Sequence, residues 1–123
     1  VQTCALPISG ERFTSLAQKS YDVIVLAGTF VECEPDTFRL RSCQSGTAYL
    51  VTAHYYDRLI AHYEEGLRCL EQTKLYKKYA LDQYWKILQA TDNWYVVMPC
   101  LANQLPGWSD IDGALSDTRM LFK

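Results

Sequence analysis

The sequence predicts an α/β domain in which a mixed sheet carries helices on both faces. Three observations lead there. "YDVIVLAG" (residues 21–28) is a continuous apolar run, rich in β-branched residues and stopped by a glycine, as a strand buried on both faces reads. "NWYVVMP" (93–99) has the same doubly apolar character and ends at a proline. Between them, Ala53, Tyr56, Leu59, Ile60, Tyr63, Leu67 and Leu70 recur at three- and four-residue steps, the signature of an amphipathic helix over about 53–72. Strands apolar on both sides need cover on both sides.

The remaining elements follow in chain order. "VQTCALPIS" (1–9) has no charge and no helical period, and Leu6-Pro7 disfavours helix at residue 6. "GERFTSLAQKS" (10–20) predicts a short helix with Phe13, Leu16 and Ala17 on one side. "TFVECEPD" reads as a loop punctuated by Pro35. "TFRLRSC" alternates Phe38 and Leu40 with Arg39 and Arg41, a half-buried strand, and "TAYLVTA" reads as a further strand after a turn at "QSG". Gly66 costs the long helix about 1 kcal/mol relative to alanine, which its apolar stripe offsets. A shorter helix over about 80–90 turns Leu81, Trp85 and Leu88 inward, and the segment after Cys100 reads as loop with one late helical turn.

Length and charge limit the classes of function. At 123 residues the chain is one domain or a piece of one, with 49% apolar residues to build a core. A net charge of −2 argues against a general nucleic-acid binder. Lys74, Lys77 and Lys78 read as a solvated segment between helices. No apolar run approaches the roughly 20 residues that span a bilayer, so no transmembrane segment is expected. The five cysteines show no CxxC and no zinc spacing; free thiols in a reduced, cytoplasmic setting are expected, and Cys33 with Cys43 could pair only in an oxidising compartment.

Three places gather polar residues that a plain globule would not need. "CQSGTAYLV" places Ser45, Gly46 and Thr47 at the start of a strand, either as a simple turn or as backbone that a sugar or phosphate approaches closely at glycine. In "YALDQYW", Asp82 near a helix start either complements the helix dipole or faces a cleft as a general base, with Tyr84 and Trp85 beside it for a sugar face. In "NQLPGWSDIDG", Asp110 and Asp112 follow a strand, where α/β sheets bind ligands; they either cap a polar loop or hold Mg²⁺ or Mn²⁺. His54 and His62 lie eight apart without a third ligand and read as ordinary helix residues. The chain contains no GxSxG, P-loop or GxGxxG.

Taken in order, "YDVIVLAG", "SGTAYLVTAHYYDRLI", "LDQYW", "VVMPCLANQ" and "WSDI" resemble the carboxyl-terminal half of the family 25 glycosyltransferases, the lipooligosaccharide and procollagen galactosyltransferase group, over residues 11–113. The resemblance implies a partial GT-A-type, Rossmann-like α/β fold. It implies inverting transfer of a sugar, often galactose, from a nucleotide-sugar donor to a hydroxyl on a glycan or protein acceptor, usually with a divalent metal. On that reading Asp82 is the catalytic base, Gly46, Thr47, Tyr49 and Gln104 line the substrate cleft, and Asp110 stands near the metal. The family's acidic metal-binding cluster would fall before residue 11, where this chain has none.

That gap bears on residues 1–9. The string V-Q-T-C-A-L-P-I is similar to the in-frame translation of an adapter ligated to DNA fragments for short-read sequencing. Residues 1–9 are therefore expected to be non-native, and residues 10–123 to be the carboxyl-terminal part of one glycosyltransferase domain. The rival expectation, from a different class, is a small non-catalytic binding domain that uses the same turns structurally.

Overall fold

The computed structural model describes residues 2–122, with side chains from residue 8 onward. Helix α1 (Gln2–Ala17) leads into strand β1 (Val23–Cys33), which returns as β2 (Leu40–Val51). A 3₁₀ turn (Ala53–Tyr55) opens α2 (Tyr56–Thr73), followed by the short helices α3 (Tyr76–Tyr79), α4 (Leu81–Tyr84) and α5 (Lys86–Thr91). Strand β3 (Trp94–Val96) completes the sheet; a hairpin of β4 (Gly107–Ser109) and β5 (Ala114–Ser116) and a last 3₁₀ turn (Arg119–Leu121) follow.

The sheet is mixed, in the order β2-β1-β3, with β1 antiparallel to β2 and parallel to β3. Its pleat divides the core in two. Val23, Val25, Trp94 and Val96 pack with Tyr55, Leu59, Trp85 and Leu88 from the α2–α5 side. Ile24 and Val97 pack with Leu16 of α1 on the other. The expected mixed α/β arrangement with helices on both faces is thus present. The outer edge of β3 is partly closed: Arg39 bridges Tyr95, and the Val96 N–H donates to the Phe38 carbonyl at 3.0 Å. Among the described residues no helix is long and apolar enough to cross a membrane.

The connections depart from expectation more than the core does. Helix α1 runs through the stretch that has no helical period, past Pro7. Its carboxyl-terminal part is anchored by tertiary contacts: Ser9 is fully buried and its hydroxyl donates to the Pro99 carbonyl at 2.7 Å, while Arg12 reaches the Met98 carbonyl. "TFVE" is strand rather than loop, because β1 continues to Cys33 and pairs with β2 as far as Leu40. The supposed turn at "QSG" is a bulge: Ala27 pairs with Ala48 and Thr29 with Gln44, so β2 spends two extra residues there and Ser45 adopts a left-handed φ of 65°.

Helix α2 also sits rotated from its sequence stripe. Tyr55, Leu59 and Gly66 are buried, whereas Tyr56, Ile60 and Leu67 are exposed. The helix expected over 80–90 is present as α4 and α5 on either side of Trp85; Trp85 and Leu88 are buried as expected, and Leu81 is exposed. Cys33, Cys43 and Cys69 are free thiols, and the possible Cys33–Cys43 pair does not form, because Cys43 points into the core, where Gln89 contacts its sulfur.

Candidate functional site: the bulge in β2

A bulge interrupts the ladder and leaves backbone groups to be satisfied from elsewhere. Here α4 supplies the acceptor. Asp82, in its first turn, accepts the Ser45 N–H on Oδ2 at 3.1 Å. Among the described residues no hydrogen bond reaches Asp82 Oδ1, and the side chain is half-buried. The Ser45 hydroxyl meets that of Thr29, buried on β1, at 2.8 Å.

Beyond Ser45 the strand turns its polar groups outward. A β-carbon on Gly46 would lie 3.5 Å from Tyr49 and 3.8 Å from Trp85, ordinary contact distances, so the glycine is not forced by packing and leaves backbone open above the aromatic edges. Tyr49 packs edge-on to Trp85 with ring centroids 5.6 Å apart, and Tyr63 donates a long 3.5 Å hydrogen bond to its hydroxyl. Thr47 Oγ1 accepts from Gln104 Nε2 at 3.0 Å, and Gln104 Oε1 accepts from Thr118 at 3.3 Å. The segment after β3 is thereby tied across the bulge.

Five of the six residues singled out in the sequence therefore adjoin one strip of β2: Asp82, Gly46, Thr47, Tyr49 and Gln104. The sixth does not. Asp110 is exposed on the β4–β5 hairpin loop, where Asp112 is held by Ser109 through its carboxylate at 2.9 Å and its backbone N–H at 3.2 Å. The loop is a tight turn closed by Gly113, whose N–H donates to the Ser109 carbonyl at 2.7 Å and whose φ is 64°. A hard divalent cation takes about six oxygens; one exposed carboxylate beside another engaged by a serine does not fit that demand. Among the described residues no three His, Cys, Asp or Glu side chains converge as metal ligands.

The aromatic neighbours of Asp82 also face elsewhere. Trp85 is fully buried and donates its indole N–H to the Cys43 carbonyl at 3.0 Å, so it presents no face to a ligand. Tyr84 turns toward α2, stacked on His62 at 4.3 Å between centroids, and its carbonyl meets His62 Nε2 at 2.8 Å. Both histidines thus have structural partners, His54 bonding Asp22 at 2.8 Å. Thr29, which the sequence reading did not place in the site, adjoins it through the Ser45 hydroxyl; its only sequence signal is a polar residue at the end of an apolar run.

Comparison with protein-family models, curated proteins and solved structures finds no match for this chain.

Proposed function

We propose that the chain is the acceptor-side part of an inverting glycosyltransferase of the family 25 type, with Asp82 as general base. The observation that supports this is the gathering of Asp82, Gly46, Thr47, Tyr49 and Gln104 along the β2 bulge, with Gln104 reaching Thr47 from 57 residues away in sequence. In the reaction the acceptor hydroxyl oxygen attacks the anomeric carbon. The bond from that carbon to the leaving nucleoside diphosphate breaks, and Asp82 Oδ1 takes the hydroxyl proton. Ser45 N–H holds the other carboxylate oxygen, which fixes the orientation of the base. Tyr49, Thr47 and Gln104 offer the aromatic edge and hydrogen-bonding groups that a sugar hydroxyl recognises. Galactose is the proposed sugar, and a glycan or protein hydroxyl the proposed acceptor. A divalent metal would supply charge neutralisation on the diphosphate; these residues do not form its site.

A second reading has its own support. The Asp82–Ser45 hydrogen bond alone accounts for an aspartate at that position, and a small binding domain needs no more. Joining this chain to the upstream part of its reading frame and measuring nucleoside diphosphate release from nucleotide-sugars separates the two. Turnover reduced about a hundredfold in Asp82→Asn, the size of a lost general base, supports the enzyme. A native start near residue 10 and no turnover supports the binding domain.

A further inference from the structure

We infer that the cleft between the β1–β2 connection and α5 binds a small phosphate ester through Lys19 and Arg39. This cleft, of about 580 Å³, is lined among others by Lys19, Glu34, Arg39, Arg41 and Tyr95. None of these belongs to the strip around Asp82, so the inference stands independently of glycosyl transfer.

The charge arrangement carries it. In a chain of net charge −2, three cations and one carboxylate line one cleft. Arg41 and Glu34 neutralise each other across 3.3 Å. Lys19 and Arg39 have no such partner: among the described residues neither forms an ion pair with a carboxylate. Both are instead held by neutral groups. Lys19 donates to the Thr37 carbonyl at 3.4 Å and stands 5.1 Å from the Tyr95 ring centroid. Arg39 donates one nitrogen to the Asp92 carbonyl at 2.8 Å and lies 5.9 Å from the same ring. Neutral anchoring positions the two cations without an ion pair, and Arg39 keeps further donors for a ligand.

Two cations outside any ion pair suit the −1.5 to −2 charge of a phosphate monoester near neutral pH, although Arg39 also acts at longer range on the Glu34 carboxylate and helps hold it below its usual pKa. Charge-assisted bonds from an arginine fork to phosphate oxygens are the strong kind. The volume decides between free phosphate and an ester. It falls within the roughly 300–1,000 Å³ of small-molecule sites, far more than one phosphate occupies, and the half-buried Tyr95 gives an organic group apolar wall. Glu34 at the rim opposes an anion, and its engagement by Thr37 and Arg41 limits that opposition.

Calorimetric titration of the full chain with ribose 5-phosphate and with inorganic phosphate tests the inference. Saturable binding of the ester, tighter than of inorganic phosphate, is expected. Lys19→Gln should weaken it about threefold to tenfold and Arg39→Gln about tenfold or more, the scale of a lost charge-assisted contact. Glu34→Gln should tighten it severalfold, while the double substitution Lys77→Gln/Lys78→Gln, elsewhere on the surface, should leave it unchanged. Because Arg39 also holds the Asp92 carbonyl, Lys19→Gln carries the test if Arg39→Gln fails to fold. No saturation by about 10 mM ester, binding weaker than about −3 kcal/mol, overturns the inference. Ester binding no tighter than that of inorganic phosphate, or equal weakening by the Lys77/Lys78 pair, does the same.

Discussion

A β-carbon placed on Gly66 would sit 2.8 Å from Cδ2 of Tyr84, closer than packed atoms allow. Gly66 is where α2 lets the ring of α4 approach, and that ring is itself fixed by stacking on His62. Two effects oppose each other in Gly66→Ala. Alanine favours a helix interior by about 1 kcal/mol, and overpacking a fixed aromatic costs about 1–3 kcal/mol. The clash should win, lowering stability by about 1 kcal/mol and the melting temperature by about 4 °C. In a Tyr84→Ala background the same substitution should become neutral or stabilising. A wild-type Gly66→Ala that melts higher would contradict the packing of α4 on α2.

Cys43 should be the slow thiol. It is fully buried on β2, its backbone N–H donates to Gln89 Oε1 at 2.9 Å, and burial pushes its thiol pKa up to about 12. The thiolate is the reactive species, so folded chain offers almost none of it at neutral pH. Cysteine-by-cysteine mass spectrometry during alkylation at pH 8 should show Cys43 modified only at the rate of unfolding, well after the half-buried Cys69. Equal rates for the two would place Cys43 outside the core.

Local pattern made the two central strands legible, because a run such as Val23-Ile24-Val25 states its own burial on both faces. It failed wherever a distant partner decides. The Ser45-Gly46-Thr47 stretch reads as a turn in isolation, and it stays in the sheet because Asp82, 37 residues later, accepts the N–H that the bulge releases. The same three- and four-residue spacing on α2 fits an inner stripe through Tyr55 and Leu59 as well as one through Tyr56 and Ile60. Neighbouring positions on a helix differ by only about 100°, and the contact with Trp85 and Trp94 selects the first. In the candidate site, the polar strip was legible as residue types, and helical spacing turned Trp85 inward, as it is, while its place beside Asp82 suited a sugar face as well. Tryptophan serves a sugar face and a core equally well, and only the Cys43 carbonyl it bonds distinguishes them.

Asp92 joins three elements and sets an acid limit. It accepts the Tyr55 hydroxyl at 2.6 Å and two nitrogens of Arg58 at 2.5 and 3.2 Å. Burial alone would raise its pKa; the hydrogen bonds from Arg58 and Tyr55 outweigh it and hold the carboxyl below its usual value. A carboxyl depressed in the folded state contributes stability that is present above its unfolded pKa, near 4, and lost as pH falls through the lower folded value. Stability should therefore decline below about pH 4, and Asp92→Asn should flatten that decline. At pH 7 the substitution should cost about 1–2 kcal/mol, limited because the Arg58 side is open to solvent screening. Urea midpoints of the two proteins from pH 2.5 to 7 provide the comparison; identical slopes would remove Asp92 from the acid response.

Asp82 and Asp110 should respond differently to the same chemical change. Asp82→Asn keeps an acceptor for the Ser45 N–H, so its fold should be nearly unaffected. Asp82→Ala removes that acceptor and should cost about 1 kcal/mol, the usual net value of a hydrogen bond. If Asp82 is only a fastener for the bulge, its asparagine variant loses nothing and its alanine variant loses stability alone. If it is the base, the asparagine variant of the joined, active chain retains donor affinity and loses about a hundredfold in the chemical step, because an amide cannot take the acceptor proton. Asp110→Asn, on an exposed loop closed by Ser109 and Gly113, should change neither stability nor the metal concentration required for turnover. Single-turnover kinetics across a Mn²⁺ titration, with thermal melts of the same three variants, separate these outcomes. A metal requirement raised in Asp110→Asn would show that the hairpin reaches the diphosphate in the joined chain.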